Sequence, residues 1–489
     1  MKMTLIPQMA VKNCHPKGMQ SATDNDYARI ATEVATAMAK EKVDDIPVNG
    51  IRQMALNITL YFEDIIADAG IWRAFTSKVK EMYGRQLPFY DIDKDNYFED
   101  EPNIEDVKFI VWYTMLEVHH GKIGNPENPI LERLAIAAYN VLEKHYETVP
   151  VNESLRDYFH NPQFFGDFYK QRDALKWLYF SCYLTYIPSA VDFIVARARQ
   201  MAEAVHCPLD AAFYQVECLL TYTGKIGPLR LEPQEWMASI LRGNGNDEAA
   251  KKVESQRQMD YRMYKIESVN DDRSMTFRDI TGETFTVTAE ELNHPQDECY
   301  QRKGIVAAFV EYDGAWHLNG GSSWGDDLKM FDEMAEDYEG HKKLQKAYDD
   351  MMKESKNTHL FYFANSAELK AFLLKHLPAD EEVEKNFQLP VDQEHIVLYV
   401  PEKSTEDLQI FPDGALCVKD ERNPYYNEKW SRNQALNFVL SISPEVQQCL
   451  INQHFLPDAT INSSKGLERG NEIVQQNFDF LVRAVSSRL

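Results

Sequence analysis

The sequence predicts an α+β multidomain protein: a mainly helical N-terminal bundle, a small antiparallel β-barrel of the SH3 or OB kind, and a small α+β C-terminal domain. Three patterns carry this expectation. Apolar residues recur at helical spacing through the first half, the spacing changes to period two between residues 261 and 325, and strands alternate with helices beyond residue 359. At 489 residues the chain is too long for one core, so two or three domains are expected. The boundaries read as a flexible tail over 1–25, a helical domain over 26–243, a linker over 244–260, the barrel over 261–325 and the α+β domain over 326–489.

Taken in order, residues 1–25 lack periodicity and are rich in polar residues. Helices follow. Ile30, Val34 and Met38 stack at i+4 spacing, and Ile51, Met54, Ala55, Ile58, Phe62, Ile65 and Ile66 trace one face of a longer helix. Trp72, Phe75, Val79 and Met82 line another, which Gly84 ends. After an acidic loop from Asp91 to Asp106, the run Val107, Phe109, Ile110, Val111, Trp112, Met115 and Leu116 is apolar on all sides and belongs mid-bundle. Helical patterns continue through Leu131 to Leu142, an aromatic-rich stretch from Phe168 to Tyr186, and segments near 189–206, 210–223 and 235–241.

The middle segment has strand alternation at Tyr264 and Ile266, Met275 and Phe277, and Phe285 and Val287, with Thr281-Gly282 as a turn. Gly304-Ile-Val-Ala-Ala-Phe-Val-Glu311 breaks at Asp313-Gly314 and resumes at Ala315, a hairpin signal. Two polar helices are expected over 327–338 and 341–352. Strands follow at 359–363 and 395–400, with a helix over 367–377 between them. Pro412-Asp413-Gly414 reads as a hairpin turn, and helices near 431–440, 444–453 and 471–485 close the chain.

With 44% hydrophobic and 12% aromatic residues there is ample material for packed cores. Seventy-seven acidic against 52 basic residues give a formal charge of -25, which repels nucleic-acid phosphate and anionic lipid. Nucleic acid is therefore disfavoured as a partner. The seven cysteines include no Cys-x-x-Cys pair, so neither a disulfide framework nor a zinc ribbon is indicated, and a reducing cytoplasmic setting is expected. Thr4 to Val11, interrupted by Pro7 and followed by Lys12, makes a poor signal peptide, and no apolar run reaches the roughly 18 residues of a membrane span.

Tyr61-Phe-Glu-Asp-Ile-Ile-Ala67, Ile71-Trp72, Gln86-Leu-Pro-Phe-Tyr90 and Glu105-Asp-Val-Lys-Phe-Ile-Val-Trp-Tyr113 resemble the N-terminal region of an uncharacterised bacterial family built on a domain of unknown function. That family is similar in layout along most of the chain, with a helical first half, a β-rich middle and a C-terminal segment like Ile410 to Tyr426. The resemblance implies no activity, cofactor or catalytic residue.

Two Glu-x-x-His pairs, Glu117 with His120 and Glu203 with His206, fall on expected helices. A di-iron bundle takes such a pair from each of two helices and one carboxylate from each of two others, and Glu63 and Glu143 stand in the right order. Against this, chance supplies about one such pair in a chain of this composition, and both histidines sit at helix ends. Gly321-Ser322-Ser323-Trp324-Gly325 fits the Gly-x-Ser-x-Gly pattern, making Ser323 a candidate nucleophile, although the strand before it ends an antiparallel barrel. Asp91-x-Asp93-x-Asp95 begins like a calcium loop but has Asn96 and Pro102 where Gly and Glu are needed. Cys14-His15 and His206-Cys207 lack partners at ligand spacing. No cofactor is expected. The leading expectation is a non-catalytic cytoplasmic binding or scaffold protein whose partner is a protein, ahead of a metal-dependent bundle enzyme and a serine hydrolase using Ser323.

Overall fold

The computed structural model describes residues 4–43, 46–93, 95–119, 123–188, 190–376, 393–401, 408–457, 472–473 and 475–486. The chain divides into two compact units, residues 1–279 with 283–328 and 483–489, and residues 329–482 with 280–282.

The first unit opens with α1 (Gln8–Lys12), α2 (Asp24–Ala39), α3 (Val48–Ala67), α4 (Ile71–Tyr83) and α5 (Ile104–Val118). It continues with α6 (Pro129–His145), α7 (Glu153–His160), α8 (Phe168–Phe180), α9 (Ala190–Val205), α10 (Leu209–Thr223), α11 (Pro233–Gly243) and α12 (Asp247–Glu254). As the periodicity requires, Met54, Ala55, Ile58 and Phe62 of α3 are fully buried, and Val107, Phe109 and Val111 of α5 are too. The stretch expected as a loose tail instead carries α1 and buries Val11 and His15. Its few apolar side chains were too sparse to show a period, yet Ile6 N–H donates to Thr32 Oγ1 at 3.0 Å and pins it to α2. The helical piece expected within the linker over 244–260 is α12, whose Ala249, Ala250 and Val253 are buried, and the first strand begins by Arg257.

The strands are β1 (Arg257–Val269), β2 (Met275–Arg278), β3 (Thr284–Val287), β4 (Gly304–Tyr312), β5 (Ala315–Leu318) and β6 (Ser323–Gly325). They form one antiparallel sheet in the order β3-β2-β1-β4-β5, with β6 also on β4. β5 pairs with Phe309 to Tyr312 and β6 with Gly304 to Val306, so the two share one edge of β4 end to end. Tyr264, Met275, Phe277, Phe285, Ile305 and Phe309 fill one face. The outer strands curl toward each other until the rings of Phe285 and Trp316 lie 4.7 Å apart, while the ladder stays open between β3 and β5.

This curled sheet belongs to the same compact unit as the helices. Asn319, just past β5, accepts from Arg172 Nη1 at 3.3 Å and donates to the Cys218 carbonyl at 3.1 Å. Gly320 has φ +98°, and a Cβ there would meet Gln215 Oε1 at 2.3 Å. Only glycine lets the sheet exit pass so close to α10.

In the second unit α13 (Lys329–Glu354) runs unbroken where two helices were expected. Gly340 is a helix-weakening residue rather than an obligatory stop. β7 (Leu360–Asn365), α14 (Ser366–His376), β8 (Glu394–Tyr399) and β9 (Gln409–Phe411) follow, and the three strands pair antiparallel in that order. Phe361, Phe363, Ile396 and Leu398 pack with α13 and α14 on one face. Leu360, Val397 and Tyr399 pack on the other with α15 (Glu428–Ser441) and α16 (Pro444–Asn452). α17 (Phe478–Ser486) is the last described helix, its residues up to Val482 belonging to this unit. The expected hairpin at 412–414 is not formed: Asp413 has φ 56° and starts a single 3₁₀ turn over Gly414–Leu416, and among the described residues β9 pairs with β8. Burying Ala415 and Val418 against α15 and α16 wins over a second short strand.

Asp64 shows how the bundle is fixed locally. Near the end of α3, it accepts the Ile71 and Trp72 N–H groups at 3.1 and 2.6 Å, thereby capping α4, and also takes the Tyr183 hydroxyl at 2.9 Å. Asp64→Ala leaves three buried donors unsatisfied and is expected to cost about 3 kcal/mol of stability. Urea unfolding followed by tryptophan fluorescence measures it, and an unchanged midpoint would contradict this role.

Candidate functional site

The helical unit contains a cleft of about 630 Å³. One wall is the extended turn Lys17-Gly18-Met19, and the other comes from α7, the turn after it and α8. Asn152 caps α7 by accepting the Leu155 N–H at 3.2 Å, so Ser154, Asp157 and Tyr158 project from its first two turns. The chain then turns through Asn161 and Gln163, and Asp167 starts α8 by accepting the Lys170 N–H at 3.1 Å. Lys170 and Asp173, three apart, consequently face the same way. The floor is aromatic: the rings of Tyr158 and Phe164 lie 5.2 Å apart. The rim carries both signs of charge, and its Lys17 and Asp173 pair at 3.1 Å.

Next to the wall in sequence sits a buried polar cluster. His15 Nε2 is 2.9 Å from Glu63 Oε2, and His15 Nδ1 is 3.4 Å from Asp24 Oδ1. All three are buried. The second Glu63 oxygen accepts the Asn152 side-chain amide at 2.8 Å, so one carboxylate on α3 holds both the 13–19 segment and the cap of α7. Burial pulls the His15 imidazole down, but the hydrogen bond and charge of Glu63 and the charge of Asp24 outweigh it, and His15 is held above its ordinary value near 6.5. Burial pushes the neighbouring Cys14 thiol up to about 12, helped by Cys182 and Glu63.

The residues singled out in the sequence do not converge where they are described. Glu63 is engaged as above, Glu143, Glu203 and His206 are exposed on the surface, and Glu117 is half-buried near the end of α5. His120 lies outside the described residues. Among the described residues no group of three or more His, Cys, Asp or Glu side chains has the arrangement of a metal site. The di-iron arrangement needs its carboxylates facing one mid-bundle point, and here they are spread from the core to the surface. Ser323 begins the exposed edge strand β6, paired with Val306 of β4. A nucleophile elbow requires a sharp strand-to-helix turn at the serine, and an antiparallel ladder position is not one.

The joining of His15, Glu63 and Asn152 escaped sequence reading because the partners are remote: His15 and Glu63 are 48 residues apart, and Asn152 and Glu63 are 89 apart. The local signals were Asn152 and Asp167 as caps and Gly18 in a turn. They mark helix starts, not a site.

The sequence matches the family described as "Protein of unknown function (DUF3843)" over residues 7–293 and 320–486. The chain belongs to this family. No curated protein and no solved structure matches it. The match covers both the helical unit with its cleft and the C-terminal unit, and the family's description assigns no activity to either. No described helix is long and apolar enough to cross a membrane.

A further buried carboxyl, Asp106, accepts the Tyr61 and Tyr97 hydroxyls at 2.7 and 3.0 Å. Burial raises it to about 7 against the pull of the hydrogen bonds from Tyr61, Tyr97 and Asn103, and burial likewise raises Asp64 to about 6 against its donors. Tyr61 and Tyr97 themselves are raised by burial and by Asp106. Perturbed carboxyls often mark function, but these two are satisfied from several sides within packed helices and open to no cleft residue, so their role is to lock α3, α4 and α5. Because the folded values lie above the unfolded one near 3.8, the stability these groups add is present below about pH 4 and is lost as pH rises through about 6 and 7. Asp106→Asn removes one of the two titrations. The fall in urea midpoint between about pH 4.5 and 7.5 should then be smaller than in the wild type, and an identical fall would show that Asp106 does not titrate there.

Proposed function

We propose that the protein acts by binding, and that the cleft between the Lys17-Gly18-Met19 wall and helices α7 and α8 takes a polypeptide segment of another protein. The cleft's mixed lining carries this reading. Tyr158 and Phe164 offer an aromatic floor of the kind that anchors a side chain. Asn161 and Gln163 supply amide donors and acceptors suited to peptide groups, and Lys17, Lys170, Asp157 and Asp173 offer both charges at the rim. A nucleic acid or an anionic lipid would need a basic surface, whereas this chain carries -25. A polypeptide presents both charge signs and backbone amides together, as the cleft does. Ser154, the lining's aliphatic hydroxyl, is engaged on the Gln20 carbonyl at 2.8 Å, which suits a wall fastener better than a nucleophile.

A random peptide library displayed on phage and selected on the purified protein tests this. Retained peptides should bind about tenfold, or 1.4 kcal/mol, more weakly to Asp157→Arg, an exposed rim substitution expected to leave the urea midpoint unchanged. Peptides bound equally by the variant, or no peptide retained above a control selection, would overturn the reading.

A further inference from the structure

Polar contacts of unequal kind fasten the cleft's outer wall to the bundle. Trp177 Nε1 donates to the Cys14 carbonyl at 2.7 Å, His15 stands between Glu63 and Asp24, Lys17 pairs with Asp173, and Ser154 donates to the Gln20 carbonyl. The Lys17 side chain is 79% exposed, and such surface pairs contribute about 0–1 kcal/mol. The Trp177 and Ser154 bonds are neutral, worth about 1 kcal/mol each. His15 alone brings a charged group into contact with two buried carboxylates.

The geometry also selects its protonation state. Nε2 is hydrogen-bonded to Glu63, Nδ1 lies within ion-pair reach of Asp24 at 3.4 Å, and only the imidazolium puts a positive charge beside both carboxylates. A neutral ring removes that charge and leaves the two buried carboxylates without a cation between them. The other titratable groups around it are Tyr27 on α2, Cys14 on the same segment, and Cys182 beyond Cys14. Tyr27 is raised by burial and then by Glu63 and Asp26, Cys14 to about 12 by burial, Cys182 and Glu63, and Cys182 to about 11 by burial. These three therefore stay neutral where histidine changes charge.

We propose that His15 is a protonation latch: as the imidazolium between Glu63 and Asp24 it fixes the 13–19 wall, and its deprotonation releases the wall and weakens binding in the cleft. The binding half rests on the polypeptide reading above. Since His15 is held above its ordinary value, the latch is fully closed below about pH 6.5 and opens as pH rises through the higher folded value. Glu63 keeps its Asn152 bond in either state, so α7 stays capped while the opposite wall loosens.

The experiment measures amide hydrogen exchange of residues 8–20 in the whole protein from pH 6 to 9, corrected for the intrinsic rate. His15 itself is followed by NMR in the same samples. Protection of this segment should fall about tenfold for each unit by which the His15 value exceeds 6.5, with α5 unaffected. His15→Gln should show low protection at every pH. A His15 that titrates at or below 6.5, or wild-type protection that does not follow its titration, overturns the latch, and the NMR readout decides even if the variant fails to fold. Cleft peptides bound with the same affinity across this range, while the wall loosens, would overturn the coupling. A loosening wall in a protein for which no peptide was ever selected leaves the latch standing and removes only the polypeptide reading.

Discussion

The Glu63 carboxylate is the constraint on which the cleft depends. It is fully buried on α3, and a carboxylate in that position must find strong donors or be expelled. It finds one on each oxygen, His15 from the N-terminal segment and the Asn152 amide from the start of α7. Two chain segments that share no regular element, each of which carries cleft-lining residues further along, are thereby tied to one carboxylate. Breaking a buried charged pair from one side costs about 3–5 kcal/mol, far more than the surface contacts of the same wall contribute. Apolar packing alone would join these segments without setting their distance, because it is non-directional.

A different polar device joins the curled sheet to the helices. The Arg172 guanidinium is buried beneath the rings of Phe168, Tyr169 and Tyr214, with centroids 5.8, 5.2 and 5.8 Å from its carbon, and it donates to Asn319 and to the Tyr214 hydroxyl. His317 of β5 stacks on Phe168 at 4.4 Å. Helix α8 thus serves two purposes with two faces: Lys170 and Asp173 on the cleft, and Phe168 and Arg172 against the sheet. That double use makes the sheet part of the helical unit, since its exit strand is held by side chains of α8 and α10 together.

Much of the fold was legible because its signals are local. The all-round apolar run of α5, the alternation of β1 to β3 and the Asp313-Gly314 break each lie within one short window, and the structure places helix, strands and hairpin there. The misreadings had equally specific causes. Residues 8–12 have too few apolar positions to display a period, yet Val11 is buried by what α2 and α3 bring to it. Gly340 is a local breaker overruled by a continuous helix, and Pro412-Asp413-Gly414 is a turn whose second arm is claimed by α15 and α16. Glu63 stands in the right order for a di-iron carboxylate, but that pattern counts only order and spacing, which cannot tell a metal ligand from an anchor for histidine and asparagine.

By itself the sequence determined the fold class, the order of helical, β-rich and mixed segments, the acidic character and the family. These depend on periodicity, composition and nearest neighbours along the chain, which survive any arrangement in space. Only the tertiary structure decided that Glu63 meets His15, Asp24 and Asn152, that a cleft lies between Lys17 and Asp157, and that Ser323 occupies an edge strand. Those are contacts between residues tens of positions apart, and their geometry exists only once the helices have packed and burial has made each unsatisfied polar group too costly to keep.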